Sequence, residues 1–280
     1  MNEAKKINAM RLDPVDRHTA ANLGLPTTLS VSVEGDIAVL KLQRVEKRNA
    51  LDNVTVLGLQ AFFLNPPTGV RAVVLDGEGE HFSAGLDLSA TQELSSTDGV
   101  FHSRMWHESF RHIQFGKVPV ISVLHGAVIG GGLELAASTH VRVAEASAFY
   151  ALPEGQRGIF VGGGGSVRIP KLIGTARMMD MMLTGRVYNA EEGHTLGLSQ
   201  YLVGPGEGMA KAMELAQKIA ANAPMTNFAV MHALPRIADS SPEAGYMMEA
   251  MISSIAQADI EAKTRIKDFL EKRAGKVGKK

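Results

Sequence analysis

Two carboxylates and a cluster of glycines are the groups in this chain best suited to acid–base chemistry. Gly130-Gly131-Gly132 runs directly into Leu133-Glu134-Leu135-Ala136-Ala137. The apolar run 118–124 leads into it through His125-Gly126, so the triple glycine falls where a strand hands over to a helix. A helix start presents unpaired backbone N–H groups and a partial positive charge. Glycines there admit a ligand oxygen without Cβ collisions. The segment therefore reads either as an anion or oxyanion site or as a tight, closely packed turn. Glu134 follows Gly131 by three residues, about one helical turn, so its carboxylate can stand beside whatever the Gly131 N–H holds. The apolar residues around it argue against a merely solvated helix glutamate. Glu154 lies in Leu152-Pro153-Glu154-Gly155, just before the glycine run 162–165. Two carboxylates sharing a pocket of low polarity are driven to different pKa values, which suits one as acid and the other as base. A further segment, Glu80-His81-Phe82-Ser83-Ala84-Gly85-Leu86-Asp87-Leu88, follows an apolar run at 70–75 and offers a second backbone N–H donor. Two converging donors are the minimum for holding an enolate oxygen.

Other chemistries are excluded more simply. Lys plus Arg equals Asp plus Glu at 29 each, without the basic excess of a nucleic-acid binder. With no cysteine there are no disulfides, thiolate nucleophiles, zinc fingers or iron–sulfur clusters. No apolar run reaches the roughly 18 residues of a membrane span. His107 and His112 are five apart, which on a helix separates their rings by about 140°, so no metal site is expected there. There is no dinucleotide fingerprint, Walker lysine or nucleophile elbow. The first residues lack the features of a signal or transit peptide, and a cytoplasmic location is expected.

The elements that must position these groups follow from periodicity. Residues 1–26 have no clean period and read as an extension. Leu29, Val31 and Val33 alternate with polar residues, Gly35-Asp36 makes a hairpin turn, and 37–42 is the return strand. Asp52 caps a helix carrying Leu57, Leu59, Phe62 and Phe63 that stops at Asn65-Pro66-Pro67. Strands are expected at 70–75, 118–124 and 141–144, with a helix at 133–137, so residues 27–204 form an α/β core. Pro66-Pro67 and 95–99 read as loops. Residues 205–280 read as a helical region, with helices at 209–222 and 242–273. Met247, Met248, Met251, Ile252 and Ile255 recur there at helical spacing, for core packing or for an oligomer contact. Ten of the 29 glycines lie between residues 126 and 165, where a proportional share is about four.

The motif Phe82-Ser83-Ala84-Gly85-Leu86-Asp87-Leu88, then His125-Gly126-Ala127 through Gly130-Gly131-Gly132-Leu133-Glu134-Leu135, then Pro153-Glu154, resembles the crotonase (enoyl-CoA hydratase/isomerase) superfamily. The resemblance runs from about Thr28 to the C-terminus. It implies a spiral of ββα units with a C-terminal α-helical trimerisation region, assembled as a homotrimer or homohexamer. It also implies an acyl-CoA thioester substrate, with coenzyme A as part of the substrate and no separate cofactor. The backbone N–H groups of Leu86 and Gly131 would polarise the thioester carbonyl. Glu134 and Glu154 would handle the water, and Gly162 would offer a backbone contact near it. Lys47, Arg48 and Ala50, together with Ser83, Ala84, Gly85, Asp87, Leu88 and Gly130, fall where the family lines its substrate path, Ala84 by a backbone contact to the adenine. Gly162 argues against the dienoyl-CoA isomerases and hydroxyacyl-CoA hydrolases, which carry an acid there. Glu134 argues against simple enoyl-CoA isomerases. The implied reaction is hydration of a 2-enoyl-CoA. The alternatives are isomerisation or retro-aldol cleavage of an aromatic or unusual acyl-CoA, and acyl-CoA binding without turnover. The loop Gly155-Gln156-Arg157-Gly158-Ile159-Phe160-Val161 departs from the family pattern, and Arg157 is a charge that could contact substrate or tune Glu154.

Overall fold

The computed structural model describes residues 23–90, 95–271 and 273. Most of the proposed N-terminal extension, and most of the basic tail at 272–280, lie outside the described residues. By Cα proximity the chain divides into two units, one ending at Gln217 and one beginning at Lys218.

The first unit opens with strands β1 (Leu29–Glu34) and β2 (Ile37–Leu42), paired antiparallel around Gly35, whose φ is 63°. Helix α1 (Asn53–Leu64) follows, with the Asp52 carboxylate accepting from the Thr55 N–H as its N-cap, and ends at Asn65. Strand β3 (Ala72–Gly77) is parallel to β2 and completely buried. Its start lies two residues later than the apolar run suggests, because Val70 closes a turn onto Pro67 O. Next come α2 (Ser96–Gln114), β4 (Val120–Leu124), β5 (Ala127–Ile129), α3 (Gly131–Ala136), β6 (Val141–Glu145) and β7 (Phe149–Ala151). They are followed by α4 (Gly165–Ile173), α5 (Thr175–Thr184), β8 (Tyr188–Asn189), α6 (Ala190–Leu196) and β9 (Tyr201–Val203). Helix α7 (Gly208–Ala220) contains the division between the units. The stretch 95–99 is not a loop as its composition suggests. Ser95 Oγ accepts from the Asp98 N–H and the Asp98 carboxylate accepts from the Ser95 N–H, a capping box that starts α2.

Six strands form one sheet in the order β1-β2-β3-β4-β6-β9, parallel from β2 onward, and β5-β7-β8 form a second, smaller sheet. Isolated parallel bridges Leu51↔Leu86 and Ser83↔Val128 extend the smaller layer. The chain thus repeats one turn: a long strand, a short extended segment in the second layer, then a helix. β3 leads to 83–86 and α2, β4 to β5 and α3, and β6 to β7 and α4. This is the ββα spiral that the resemblance implies. β3 and β4 are buried on both faces, as parallel strands covered on both sides require.

The second unit is helical: α8 (Pro224–Phe228), a π-helical turn (Ala229–Ala233), α9 (Leu234–Ala238), α10 (Pro242–Ala258) and α11 (Ile260–Leu270). One continuous helix was the expectation for 242–273, but Asp259 is extended and its carboxylate caps α11. Met247, Met251 and Ile255 are 64, 60 and 51 % exposed, so packing within the chain does not account for them. Among the described residues, no helix is long and apolar enough to cross a membrane.

Candidate active site

Because the layer turns repeat in parallel, the ends of their short segments come side by side, and the chemistry-bearing residues sit at those ends. The first contribution is a turn at Val45–Lys47 followed by Arg48 and Asn49 at φ 50° and 55°. Asn49 is buried, and its side chain donates to Glu78 O (2.9 Å) and His81 O (2.7 Å) while accepting from the Arg44 N–H (2.9 Å). Those bonds offset the left-handed backbone, which asparagine tolerates better than most residues. The turn sets Leu51 against the next segment: the Leu51 N–H donates to Gly85 O (2.7 Å) and the Asp87 N–H to Leu51 O (2.9 Å). With both of those groups facing Leu51, the intervening Leu86 N–H faces the opposite way.

That opposite side is Gly131. A Cβ on Gly131 would lie 3.2 Å from Leu86 N, and one on Gly85 would lie 3.0 Å from Gly131 N and 2.5 Å from Ile129 O. Gly85 itself has φ 89°, so both the space and the conformation call for glycine. Gly130 turns the chain at φ 52° and starts α3 at Gly131. Among the described residues, neither the Leu86 nor the Gly131 N–H donates to a protein acceptor.

Glu134 and Glu154 face the same place. Glu134 is 3 % exposed, and its Oε1 accepts from the Gly163 N–H (2.8 Å) and the Gly165 N–H (2.7 Å). Burial pushes its carboxyl above the ordinary value; the amides of Gly165, Gly163 and Gly162 and the charge of Arg168 oppose that push. Glu154 is 7 % exposed, and its Oε2 is buried with no hydrogen-bond partner among the described residues. A Cβ on Gly130 would sit 2.7 Å from Glu154 Oε1, so the carboxyl lies against that glycine. Burial first, and then the charge of Glu134, push the Glu154 carboxyl up to about 7, against a hydrogen bond from its own backbone N–H and the weaker pull of Arg157. Burial raises both acids, but their neighbours differ: two backbone donors that favour a carboxylate bond Glu134 Oε1, while Glu154 Oε2 has no donor among the described residues.

Ala84, Leu86, Leu88, Gly130, Gly131, Glu134, Glu154, Arg157 and Gly162 line one cavity. It continues into a space of about 280 Å³ walled by Gly99, His102, Ser103 and Trp106 of α2 and by Ile159 and Phe160. The remaining expected site residues do not line this space. Ser83 is buried, with its hydroxyl donating to Asn49 O (2.8 Å) and accepting from the Gly85 N–H (3.2 Å). Asp87 accepts from the Ser89 hydroxyl (2.6 Å), Arg44 (2.9 Å) and Lys47 (3.2 Å); the Ser89 bonds and then Arg44 hold it well below the usual carboxylate range. Ala50 O accepts from Arg44 (2.7 Å). Arg48 lines a separate recess with Glu46, Glu78, Glu80 and His81. The three α2 histidines face different partners: His102 bonds Asn53 Oδ1, His107 meets the Gly162 backbone, and His112 pairs with Glu108.

Several contributors escaped sequence reasoning. That reasoning attaches a role to Gly162 alone of the 162–165 run, yet Gly163 and Gly165 supply the amides on Glu134. A Cβ on Gly165 would stand 2.8 Å from Glu134 Oε1. Trp106, the chain's one tryptophan, walls the site, with its ring edge where Cβ atoms on Gly131 and Gly163 would come within 2.9 and 3.0 Å. Its signal was its place among the buried residues of α2, Trp106, Ser109, Phe110 and Ile113, which recur at helical spacing.

Comparison with known proteins agrees with this architecture. A family model described as enoyl-CoA hydratase/isomerase matches residues 32–279. The short-chain-enoyl-CoA hydratase of Clostridium acetobutylicum is 33 % identical over 195 residues, covering 69 % of this chain and 75 % of that protein. Two solved structures carrying provisional enoyl-CoA hydratase assignments are also similar. One, from Rhodopseudomonas palustris, is 56 % identical with a TM-score of 0.86, over 89 % of this chain and 96 % of that one. The other, from Thermobifida fusca in complex with acetoacetyl-CoA, is 25 % identical with a TM-score of 0.75, over 82 % and 95 %.

Proposed function

The chain belongs to the enoyl-CoA hydratase/isomerase family, and from that premise we propose that it hydrates a 2-enoyl-CoA thioester. The observation that carries the reading is the convergence, on one cavity, of two unpaired backbone N–H groups with two buried glutamates of unlike environment.

In this mechanism the thioester oxygen lies between the N–H groups of Leu86 and Gly131. Water stands between the two glutamates. Glu134, as carboxylate, takes a proton from the water while its oxygen bonds to C3. The π electrons move toward the thioester, and the enolate-like charge is stabilised at the two backbone donors, each of a kind worth roughly 3–4 kcal/mol. Glu154 then delivers its proton to C2. The water's oxygen and one hydrogen end on C3, Glu154's proton ends on C2, and the proton left on Glu134 restores Glu154 through solvent or a water relay. No metal or redox cofactor is required, and coenzyme A enters as part of the substrate. The acyl chain would extend toward His102, Ser103 and Trp106, the Gly162 backbone would lie near the water, and the CoA moiety would run past Ala84 toward Lys47 and Arg48. A trimer or hexamer acting in the cytoplasm belongs to the same proposal, supported by the exposed Met247, Met251 and Ile255.

The test is turnover of a panel of enoyl-CoA esters, from crotonyl to cinnamoyl, with product mass as readout. A gain of one water supports hydration. Release of an aldehyde, or turnover without mass change, replaces it with retro-aldol cleavage or isomerisation. Tight binding with no product from the whole panel replaces it with a binding protein.

A further inference from the structure

The cradle around Glu134 has an external support. Arg168, on the second turn of α4, reaches back along its own N-terminus. Its Nε donates to Gln114 Oε1 at the end of α2 (2.7 Å), and its Nη1 donates to Gly163 O (3.0 Å). Gly163 is thereby bonded at both ends, since its N–H donates to Glu134 Oε1 (2.8 Å). Gly164, beside Gly163, has φ 94°, and a Cβ there would collide with Arg168 Nη1, so the guanidinium packs closely against this backbone. The two bonds run in different directions from one planar fork, which a lysine ammonium cannot reproduce.

We infer that Arg168 is a positioning residue for the base: it clamps the 163–165 loop so that its amides hold the Glu134 carboxyl in place. The inference rests on the proposed hydration for its catalytic part, and on the geometry alone for its effect on Glu134. The positive charge of Arg168 also opposes the upward push of burial on Glu134. The other titratable groups around Glu134 are Glu154 on the facing loop, Arg157 beside that glutamate, His102 of α2 on the same cavity, and His107 of α2 against the Gly162 backbone; burial and the charges of Arg168 and Arg104 hold His107 down.

The experiment compares wild type, Arg168→Lys, Arg168→Met and Gln114→Leu. The carboxyl of Glu134 is followed by 13C NMR titration of glutamate-labelled protein, assigned by its absence in Glu134→Gln. Crotonyl-CoA hydration supplies kcat and KM. Arg168→Met is expected to raise the Glu134 midpoint by at least half a pH unit and to lower kcat at least tenfold, with KM within threefold. Arg168→Lys keeps the charge but loses the fork, so the midpoint should rise by less than in Arg168→Met, while kcat still falls because the loop amides are no longer clamped. Gln114→Leu, which keeps the arginine, gives the same kcat effect in weaker form and serves if Arg168→Met does not fold. An unchanged midpoint in folded Arg168→Met overturns the inference whatever happens to activity. So does a shifted midpoint with kcat within twofold of wild type. A shifted midpoint in a protein whose wild type hydrates nothing leaves the clamp standing and removes the hydratase reading instead.

Discussion

Replacing Gly165 by alanine probes the Glu134 cradle with a single methyl group. The added Cβ would meet Glu134 Oε1 at 2.8 Å, Cγ at 2.7 Å and Cδ at 3.1 Å. The carboxyl must retreat by about 0.6 Å before an ordinary contact of 3.4 Å is restored. It cannot rotate away freely, because the amides of Gly163 and Gly165 hold the same oxygen at 2.8 and 2.7 Å. A displacement of about 1 Å in a reacting group costs on the order of 100-fold in rate, so a fall in kcat of about 10- to 100-fold is expected. Stability should also fall, by about 1 to 3 kcal/mol, because the methyl group overpacks a buried site. Helix propensity offsets only part of that: Gly165 is the first residue of α4, its φ is not positive, and alanine is the better helix former by up to about 1 kcal/mol. The assay is loss of the enoyl-thioester absorbance with crotonyl-CoA, beside a thermal melt of the same preparation. A kcat within twofold of wild type in a folded protein would refute the reasoning that Glu134 acts from this cradle. A collapse of the melting temperature would show that the site cannot absorb the methyl group locally.

Three further outcomes follow from the same geometry. Glu154→Gln should lower kcat by about 10² to 10⁴, the usual span for a lost general acid, and in wild type the rate should fall as pH rises through about 7, where Glu154 loses its proton. The stability sign is opposite to that of an ion-paired acid. A carboxyl whose folded value is raised binds more protons folded than unfolded, so stability declines from the ordinary carboxylate range up to about 7; Glu154→Gln should therefore melt higher than wild type above neutrality, by an amount on the order of 1 to 3 kcal/mol. Gly131→Ala puts a Cβ 2.9 Å from the Trp106 ring and 3.2 Å from Leu86 N, intruding on the oxyanion position; kcat should drop by about 10² to 10³, measured on the same substrate. Arg44→Met removes partners from the buried Asp87 (2.9 Å) and from Asp52 (3.3 Å); Lys47 and Ser89 remain on Asp87, so a loss of about 2 kcal/mol is expected, seen as an earlier denaturant midpoint. That loss should shrink in acid, since the depressed Asp87 contributes its stability above the ordinary carboxylate range and loses it as pH falls through its own lower value.

What was legible in advance was local. Asp52 as a cap, the Gly35 turn and the apolar strands are written in residue type and period, because caps, turns and buried strands depend on near neighbours. The stretch 95–99 misled because serine, threonine, aspartate and glycine favour loops and helix starts alike; only the reciprocal Ser95–Asp98 bonds decide between the two. Asp259 broke an otherwise continuous helical pattern for the same reason, offering its carboxylate as a cap.

For the site, the sequence alone determined the candidate inventory: Glu134 one turn past Gly131, Glu154 on the loop before the glycine run 162–165, and glycines where a ligand could approach backbone. Those relations live within a few residues, or in motifs whose order is itself the signal. Tertiary structure decided the rest. Ser83 and Asp87, both inside the first motif, turn their polar atoms into the scaffold, because Asn49, Arg44 and Lys47 arrive from a turn some 34 to 43 residues away. The difference between the two glutamates depends on amides 29 and 31 residues beyond Glu134 and on the lack of any donor at Glu154 Oε2. Protonation is set by desolvation and by the few dipoles within hydrogen-bond reach. Which dipoles those are is known only once the spiral has stacked its turns.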